Sequence, residues 1–560
     1  MMDRPLLISD LFEHGRKLYP DSRVITVGEG GDRIATYAEV ADRTDQLAKA
    51  LIKLGVQRED RVGTFCWNSQ EHLEAYFAIS SMGAVMHTLN IRLFPEQLAF
   101  VINHAKDRVI IVDDTLVPVL LAFVINHAKD RVIIVDDTLV PVLAKVAKDM
   151  ETVEHIIVVG NGDDAPLREA PRATLHRYDE LLASESRGIE WPVLDERAPA
   201  SMAYTSGTTG DPKGVVYSHR STVLHSYALT SGAVAGLNEN DMVLTVVPMF
   251  HANCWGLPYA GWWVGTDFLQ PTRFLQPEPL VAMIERHRPT LAGAVPSIWT
   301  GVLNYGEGKD IDLSSFRLVI CGGSAVPESL MRAFDERYGV TILQLWGMTE
   351  TSPLGSVAPV PRGVEGEEAW RYRSRTGRPV AGIELRIVDD AGRTLPWDGE
   401  SVGEIEVRGP WVTGSYYGVD DAEKFHDGWL RTGDVGFIDE RGYSQITDRA
   451  KDVIKSGGEW ISSVELENTI IAHPEVAEAA VVGIPDDKWD ERPLACIVRK
   501  EGSTITPEDL RAYLEDKVAK WWLPERWTFI EEIPKTSVGK FDKKVLRAQH
   551  AANQLTVIHT

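Results

Sequence analysis

Residues 204–215 read YTSGTTGDPKGV, a stretch that sets glycines, Ser/Thr hydroxyls and a lysine on one short loop. Gly207, Gly210 and Gly214 open backbone dihedrals closed to other residues and can turn amides toward an anion. Thr205, Ser206, Thr208 and Thr209 add hydroxyl donors, and Lys213 adds a point charge. The chemistry that such a set serves is the holding of phosphate. It is not a Walker A loop, because five residues after Gly207 stands Pro212 where that motif needs a second Gly-Lys pair. A plain flexible linker would need only Gly and Ser, without the Pro-Lys-Gly ending.

The elements around this loop read as alternating strands and helices. After a helix carrying Leu6, Leu7, Leu11 and Phe12, short Val/Ile strands alternate with helical stretches to about residue 200. Residues 201–345 repeat the rhythm: SMAYT and LTVVP as strands, LVAMIERH as a helix, then RLVICGG and TILQLWG as strands ending in glycine. Strand ends followed by glycine are where open α/β sheets place ligands. From about Thr376 to Ile446 the text turns to β, with Asp-Ala-Gly and Glu-Arg-Gly turns. The charged run Asp448–Asp452 marks a boundary between residues 1–447 and a last domain over residues 453–560. That domain ends in a basic cluster, Lys535, Lys540, Lys543, Lys544 and Arg547, which composition alone reads as a solvated face.

Residues 98–120, LAFVINHAKDRVIIVDDTLVPVL, recur letter for letter as residues 121–143. Two copies are too few for a solenoid. Each carries a helical piece and a short apolar strand, so the duplication either adds a strand–helix unit to a sheet or is extruded as a loop. Identity at every position sits badly with two different packing environments, which favours a recent duplication or an artefact that is peripheral to function.

The bulk numbers bound the rest. The chain of 560 residues is 44% hydrophobic and 25% charged, as in globular proteins of several structural units. Its formal charge of -24 argues against a nucleic-acid surface and leaves any anionic ligand to local cations. Cys66, Cys254, Cys321 and Cys496 lack metal-type spacing and read as buried free thiols in a reducing compartment. No signal-type N-terminus or spanning apolar window is read, and the expected location is cytoplasmic.

Four further stretches follow the phosphate loop in order: QLWGMTETSP (344–353), LRTGD (430–434), DRAKDVIKSGGEW (448–460) and PKTSVGK (534–540). The series resembles the motifs of the adenylate-forming superfamily, which includes acyl-CoA synthetases, nonribosomal adenylation domains and beetle luciferases. The resemblance implies an α/β fold. A large N-terminal domain of two α/β subdomains and a small β-barrel-like subdomain would precede a small mobile α+β C-terminal domain. It implies ATP, CoA and Mg²⁺, with Glu350 beside the metal and Thr349 on the α-phosphate. Asp434 and Arg449 would hold the ribose, and Trp346, where the family usually has tyrosine, would stack on adenine while losing a hydroxyl. Gly323, Ser324, Ala325, Gly347 and Trp460 would complete the nucleotide site. Lys213 would meet the β,γ-phosphates and Lys540 the carboxylate and α-phosphate. Lys451 falls at the hinge, 448–452, about which the small domain rotates, bringing Gly457 and Gly458 to the CoA channel.

The acid is addressed by VPMFHANCW, which resembles long-chain fatty acyl-CoA synthetases: His251 orients the carboxylate, while Trp255, with Gly256, gates the acyl tunnel. Trp262 and Trp263 would shorten the accessible chain if either faced that tunnel. The expected function is therefore an AMP-forming fatty acyl-CoA synthetase. Ligation of a short-chain or thioether acid, or loading of a carrier protein with the adenylate, are alternatives, and a catalytically silent nucleotide-binding protein is the rival outside enzymes. The resemblance also allows a homodimer through the N-terminal domain.

Overall fold

The computed structural model describes residues 2–90, 107–112, 132–136, 155–159, 163–169, 173–205, 212–389, 391–449, 452–456, 459–486, 488–535 and 541–560. Two large sheets carry the first three hundred and eighty residues. A nine-stranded sheet runs from Arg378–Pro379 through Ile342–Trp346, Leu318–Cys321, Leu291–Ala294 and Met242–Leu244 to Arg33–Thr36. An eight-stranded sheet runs from Gly214–Ser218 through Pro199–Tyr204, Val85–Thr88 and Arg61–Phe65 to Thr174–Arg177. Their central strands pair in parallel, and runs such as LVIC (318–321) are apolar throughout because helices cover both faces.

Helix Tyr37–Lys53 shows how the covering layer forms. Thr36 and Glu39 make a reciprocal capping box at its start, and Val40, Ala41, Leu47, Ala48 and Leu51 line its buried face. That face meets an aromatic core in which Trp262 stacks on Tyr37 with ring centroids 3.9 Å apart and donates its indole N–H to the Phe12 carbonyl at 2.9 Å. A buried tryptophan of this kind contributes about 4–6 kcal/mol by its area. Trp263 lies at the edge of the same cluster against Tyr227 and His14. Both tryptophans are thus spent on packing the N-terminal helix.

The duplicated segment supplies one strand from each copy, Asp107–Val112 and Val132–Asp136, and they are hydrogen-bonded neighbours within the eight-stranded sheet. Val109 pairs with Val132, Ile110 with Ile133 and Ile111 with Ile134, so each residue faces its own duplicate. Of the two placements the sequence allows, the duplication adds a strand to a sheet. Both strands are interior and parallel, and one apolar sequence satisfies both backbone positions. The helical pieces of the two copies lie outside the described residues.

Residues 384–449 form a five-stranded antiparallel sheet, and the chain from Ile454 onward builds a separate six-stranded sheet with its own apolar core around Ile454, Leu466, Val481 and Trp527. Part of the terminal basic cluster is not solvated. Lys543 is buried against Glu467 at 2.8 Å and Ser463, and Arg547 pairs with Asp452 at 2.6 Å. All four cysteines are free and buried. Among the described residues no helix is long and apolar enough to cross a membrane.

Candidate active site

Strand Pro199–Tyr204 and strand Gly214–Ser218 pair antiparallel, and the phosphate loop is the connection between them. Its neck is closed by two bonds: Thr205 N–H donates to the Lys213 carbonyl at 3.0 Å, and Lys213 N–H to Thr205 Oγ1 at 3.1 Å. Ser206, Gly207, Thr208, Thr209 and Gly210 lie outside the described residues. The Lys213 ammonium sits 2.8 Å from Asp421 and 4.7 Å from the centre of the Tyr416 ring. Asp421 is held below the usual carboxylate range by its hydrogen bond to Lys213.

Tyr416 links this cation to the next motif, donating its hydroxyl to Glu350 Oε1 at 2.6 Å. Burial, with the Glu350 charge beside it, pushes the Tyr416 phenol well up, so it stays a donor. Glu350 lies in the one-turn helix Thr349–Thr351 that follows strand Ile342–Trp346. The turn is fixed by its carbonyls: Thr349 O accepts from Tyr217 Oη at 2.8 Å and Glu350 O from Thr413 N–H at 2.8 Å. It also folds back so tightly that a Cβ on Gly347 would lie 1.3 Å from the Pro353 carbonyl oxygen, so only glycine fits there.

Trp346 ends that strand, and its indole N–H donates to Asp434 Oδ2 at 2.8 Å. Arg449 Nε approaches the other oxygen, Oδ1, at 2.6 Å, because Asp434 and Arg449 are register partners on adjacent strands. The tryptophan therefore uses its ring nitrogen to orient the carboxylate expected to hold ribose. Each oxygen has two lone pairs, so both keep one free acceptor direction. Gly323, with φ +85, and the exposed Ser324 and Ala325 follow the neighbouring strand Leu318–Cys321. They lie at the same carboxyl edge of the sheet as Trp346 and Gly347.

His251 precedes, and Trp255 belongs to, a rare backbone form. Ala252, Asn253, Cys254 and Trp255 all have left-handed dihedrals, with φ of 43, 54, 53 and 54°, and Gly256 follows at 73°. Such a turn costs about 1–2 kcal/mol per non-glycine residue, and strain of that size concentrates at functional sites. It is held by Asn253 Nδ2 donating to Ser201 Oγ at 2.9 Å and by Cys254 Sγ donating to the Val247 carbonyl at 2.9 Å. The result buries Trp255 against Gly293 and Leu257 and seats Gly256 on His225. His225 is wholly buried, edge-on to Trp411, and its burial lowers its pKa to about 3.

Lys451, Gly457, Gly458 and Lys540 lie outside the described residues, and of Trp460 only the backbone, in strand Glu459–Ile461, is described. The structure thus brings together Thr205, Lys213, Thr349, Glu350, Trp346, Asp434 and Arg449. Tyr416, Asp421 and Tyr217 were not singled out from sequence; the only available signal was the aromatic pair Tyr416-Tyr417 shortly before the LRTGD stretch.

The neck of a phosphate-type loop, an acidic turn at the carboxyl edge of a parallel sheet and a paired aspartate on the adjoining antiparallel sheet fit a nucleotide-binding α/β enzyme class. The chain belongs to the AMP-binding enzyme family: that family's model matches residues 12–417, and the model of the AMP-binding enzyme C-terminal domain matches residues 465–540. It is 43% identical over 554 residues to the 3-methylmercaptopropionyl-CoA ligase of Ruegeria pomeroyi, covering 98% of each chain. It is also 43% identical to the long-chain-fatty-acid–CoA ligase of Thermus thermophilus, covering 98% of this chain and 96% of that one. The crystal structure of an anthranilate CoA ligase in complex with anthranoyl-AMP superposes with a TM-score of 0.83 at 26% identity, covering 99% of both chains.

Proposed function

We propose that this chain activates an aliphatic carboxylic acid as its acyl-adenylate and transfers the acyl group to CoA. A carboxylate oxygen attacks the α-phosphorus of ATP and diphosphate leaves; the CoA thiolate then attacks the acyl carbonyl and AMP leaves. The observation that carries this reading is the chain of contacts Lys213–Tyr416–Glu350 beside the Trp346–Asp434–Arg449 cluster. Those contacts support reading Lys213 as a phosphate-binding cation, Glu350 as the acidic turn and Asp434 as a ribose acceptor of one site.

In this scheme Lys213 exchanges Asp421 for the β,γ-phosphates, and Thr349 faces the α-phosphate. Asp434 and Arg449 hold the ribose against Trp346, with Gly323, Ser324, Ala325 and Trp460 around the base. His251 orients the carboxylate, Lys540 bridges it to the α-phosphate, and rotation about Lys451 replaces Lys540 by the Gly457–Gly458 loop for thioester formation. Mg²⁺ fits Glu350. Among the described residues no three acidic, His or Cys side chains form a metal cage. Mg²⁺ needs only one or two carboxylates beside phosphate oxygens, and Tyr416 engages only one Glu350 oxygen. When bound, the ion supplies charge neutralisation on the triphosphate.

The acid is proposed to be a fatty acid, read from the His251–Trp255 spacing and the long-chain relative; a thioether acid is the second reading, favoured by the equally similar 3-methylmercaptopropionyl-CoA ligase. With Trp262 in the N-terminal core, chain length falls to Trp255 and its left-handed turn. AMP release with CoA present, scored over acids from acetate to palmitate and 3-methylthiopropionate, tests this. Trp255→Ala should move the optimum, and an unmoved profile would remove Trp255 from the gate.

A further inference from the structure

Lys424 belongs to no motif, yet its ammonium lies beside Gly433, next to Asp434, and has no hydrogen-bond partner among the described residues. Its backbone is pinned: N–H donates to the Asp421 carbonyl and Oδ1, both at 3.1 Å, and its carbonyl accepts from Arg431 N–H at 2.9 Å. The side chain is half-buried and runs inward to Gly433, where a Cβ would lie 3.8 Å from Nζ. Gly433 precedes Asp434, and the ammonium is within electrostatic reach of both Asp434 and Glu350.

The acids around it each have another partner. Glu350 accepts from Tyr416, Asp434 accepts from Trp346 and is ion-paired with Arg449, Glu404 accepts from Arg431 and the Gly433 amide, and Asp421 from Lys213. Among the described residues none hydrogen-bonds Lys424 Nζ. Burial pulls its pKa down from the usual lysine value, with Glu350 and Asp434 opposing and Arg449 reinforcing. A half-buried ammonium with no protein acceptor is partly desolvated without compensation, and a ligand that supplies acceptors would offset that cost.

Resting on the adenylate-forming reading, we propose that Lys424 is a further phosphate-binding residue, which donates to the α-phosphate of ATP and of the acyl-adenylate. The group of a nucleotide that lies between its ribose, at Asp434, and its β,γ-phosphates, at Lys213, is the α-phosphate. Lys424 is carried by the same sheet as Asp434, so it stays with the adenylate through both half-reactions. A lysine of the C-terminal domain does not.

The test is calorimetric binding of AMP and of adenosine to the full chain and to Lys424→Met and Lys424→Arg. One charge-assisted hydrogen bond is worth about 10- to 100-fold in affinity. We expect Lys424→Met to lose AMP affinity by that factor and keep adenosine affinity, with Lys424→Arg recovering most of it. Unchanged AMP affinity overturns the proposal, and so does an equal loss for AMP and adenosine, which would make Lys424 a support for Asp434. In the unmodified protein, AMP but not adenosine should protect Lys424 from acetylation as read by mass spectrometry; equal protection also overturns it. If the unaltered chain binds neither ligand, the adenylate-forming reading fails instead.

Discussion

Asp434→Asn is isosteric, yet it cannot be accommodated. The side chain is 2% exposed and its two oxygens face the Trp346 indole N–H, at 2.8 Å, and the Arg449 guanidinium, an ion pair at 2.6 Å. Whichever way the asparagine amide turns, its NH₂ meets one of them, so one charge-assisted bond is lost and two donors are opposed. The lost bond is worth about 1.5–3 kcal/mol. Arg449 is 43% exposed, so the ion-pair part adds only about 0–1 kcal/mol after solvent screening. The arrangement should lose about 2–4 kcal/mol, seen in urea unfolding. If the same carboxylate receives ribose hydroxyls, AMP affinity should fall at least tenfold, while binding of 2′,3′-dideoxy-AMP should change little further. A double-mutant comparison of ligand and side chain isolates that contact. Equal weakening of AMP and dideoxy-AMP, or unchanged affinity for AMP, would refute the ribose assignment.

Gly256→Ala forces a Cβ to 2.5 Å from the His225 ring at φ +73, and should cost about 2–4 kcal/mol from dihedral strain and overlap while shifting the preferred acid; unfolding and the acid profile both check it. His72 and His219 are lowered by burial to about 4 and His225 to about 3, so each stays neutral when folded. Unfolded imidazoles bind protons below about pH 6.5, so unfolding takes up protons in that window and stability falls as pH drops toward 4. The slope should approach about 4 kcal/mol per pH unit for three groups, and a flat stability curve from pH 6 to 5 would contradict their burial. Lys540→Ala should abolish adenylation yet leave thioester formation from supplied acyl-adenylate largely intact; equal loss of both steps would contradict its role.

Much of this was legible in the chain. The phosphate loop, the acidic turn and the Thr-Gly-Asp stretch announce themselves because their chemistry needs particular residue types at fixed spacing. What stayed hidden depends on tertiary approach. A tryptophan in place of tyrosine suggested only stacking; that its N–H reaches Asp434 follows from the end of one strand meeting the middle of another, on residues eighty-eight positions apart. Asp421 and Lys424 sit in a loop without pattern, and only its return against Gly433 makes them part of the site. The left-handed turn is hinted at by Asn253 and Gly256 alone, since Ala252, Cys254 and Trp255 disfavour it. Lys543 read as surface because composition cannot tell a solvated lysine from one buried on Glu467. That the two copies of the duplicated strand pair with each other could not be read from their sequence, which left both an added strand and an extruded loop open.

Exchange of labelled diphosphate into ATP, without CoA, tests most directly whether this site makes an adenylate. We expect exchange that requires both the acid and Mg²⁺, is independent of CoA, and falls by orders of magnitude in Lys213→Ala. Formation of ADP and phosphate, or exchange indifferent to every acid supplied, would contradict it.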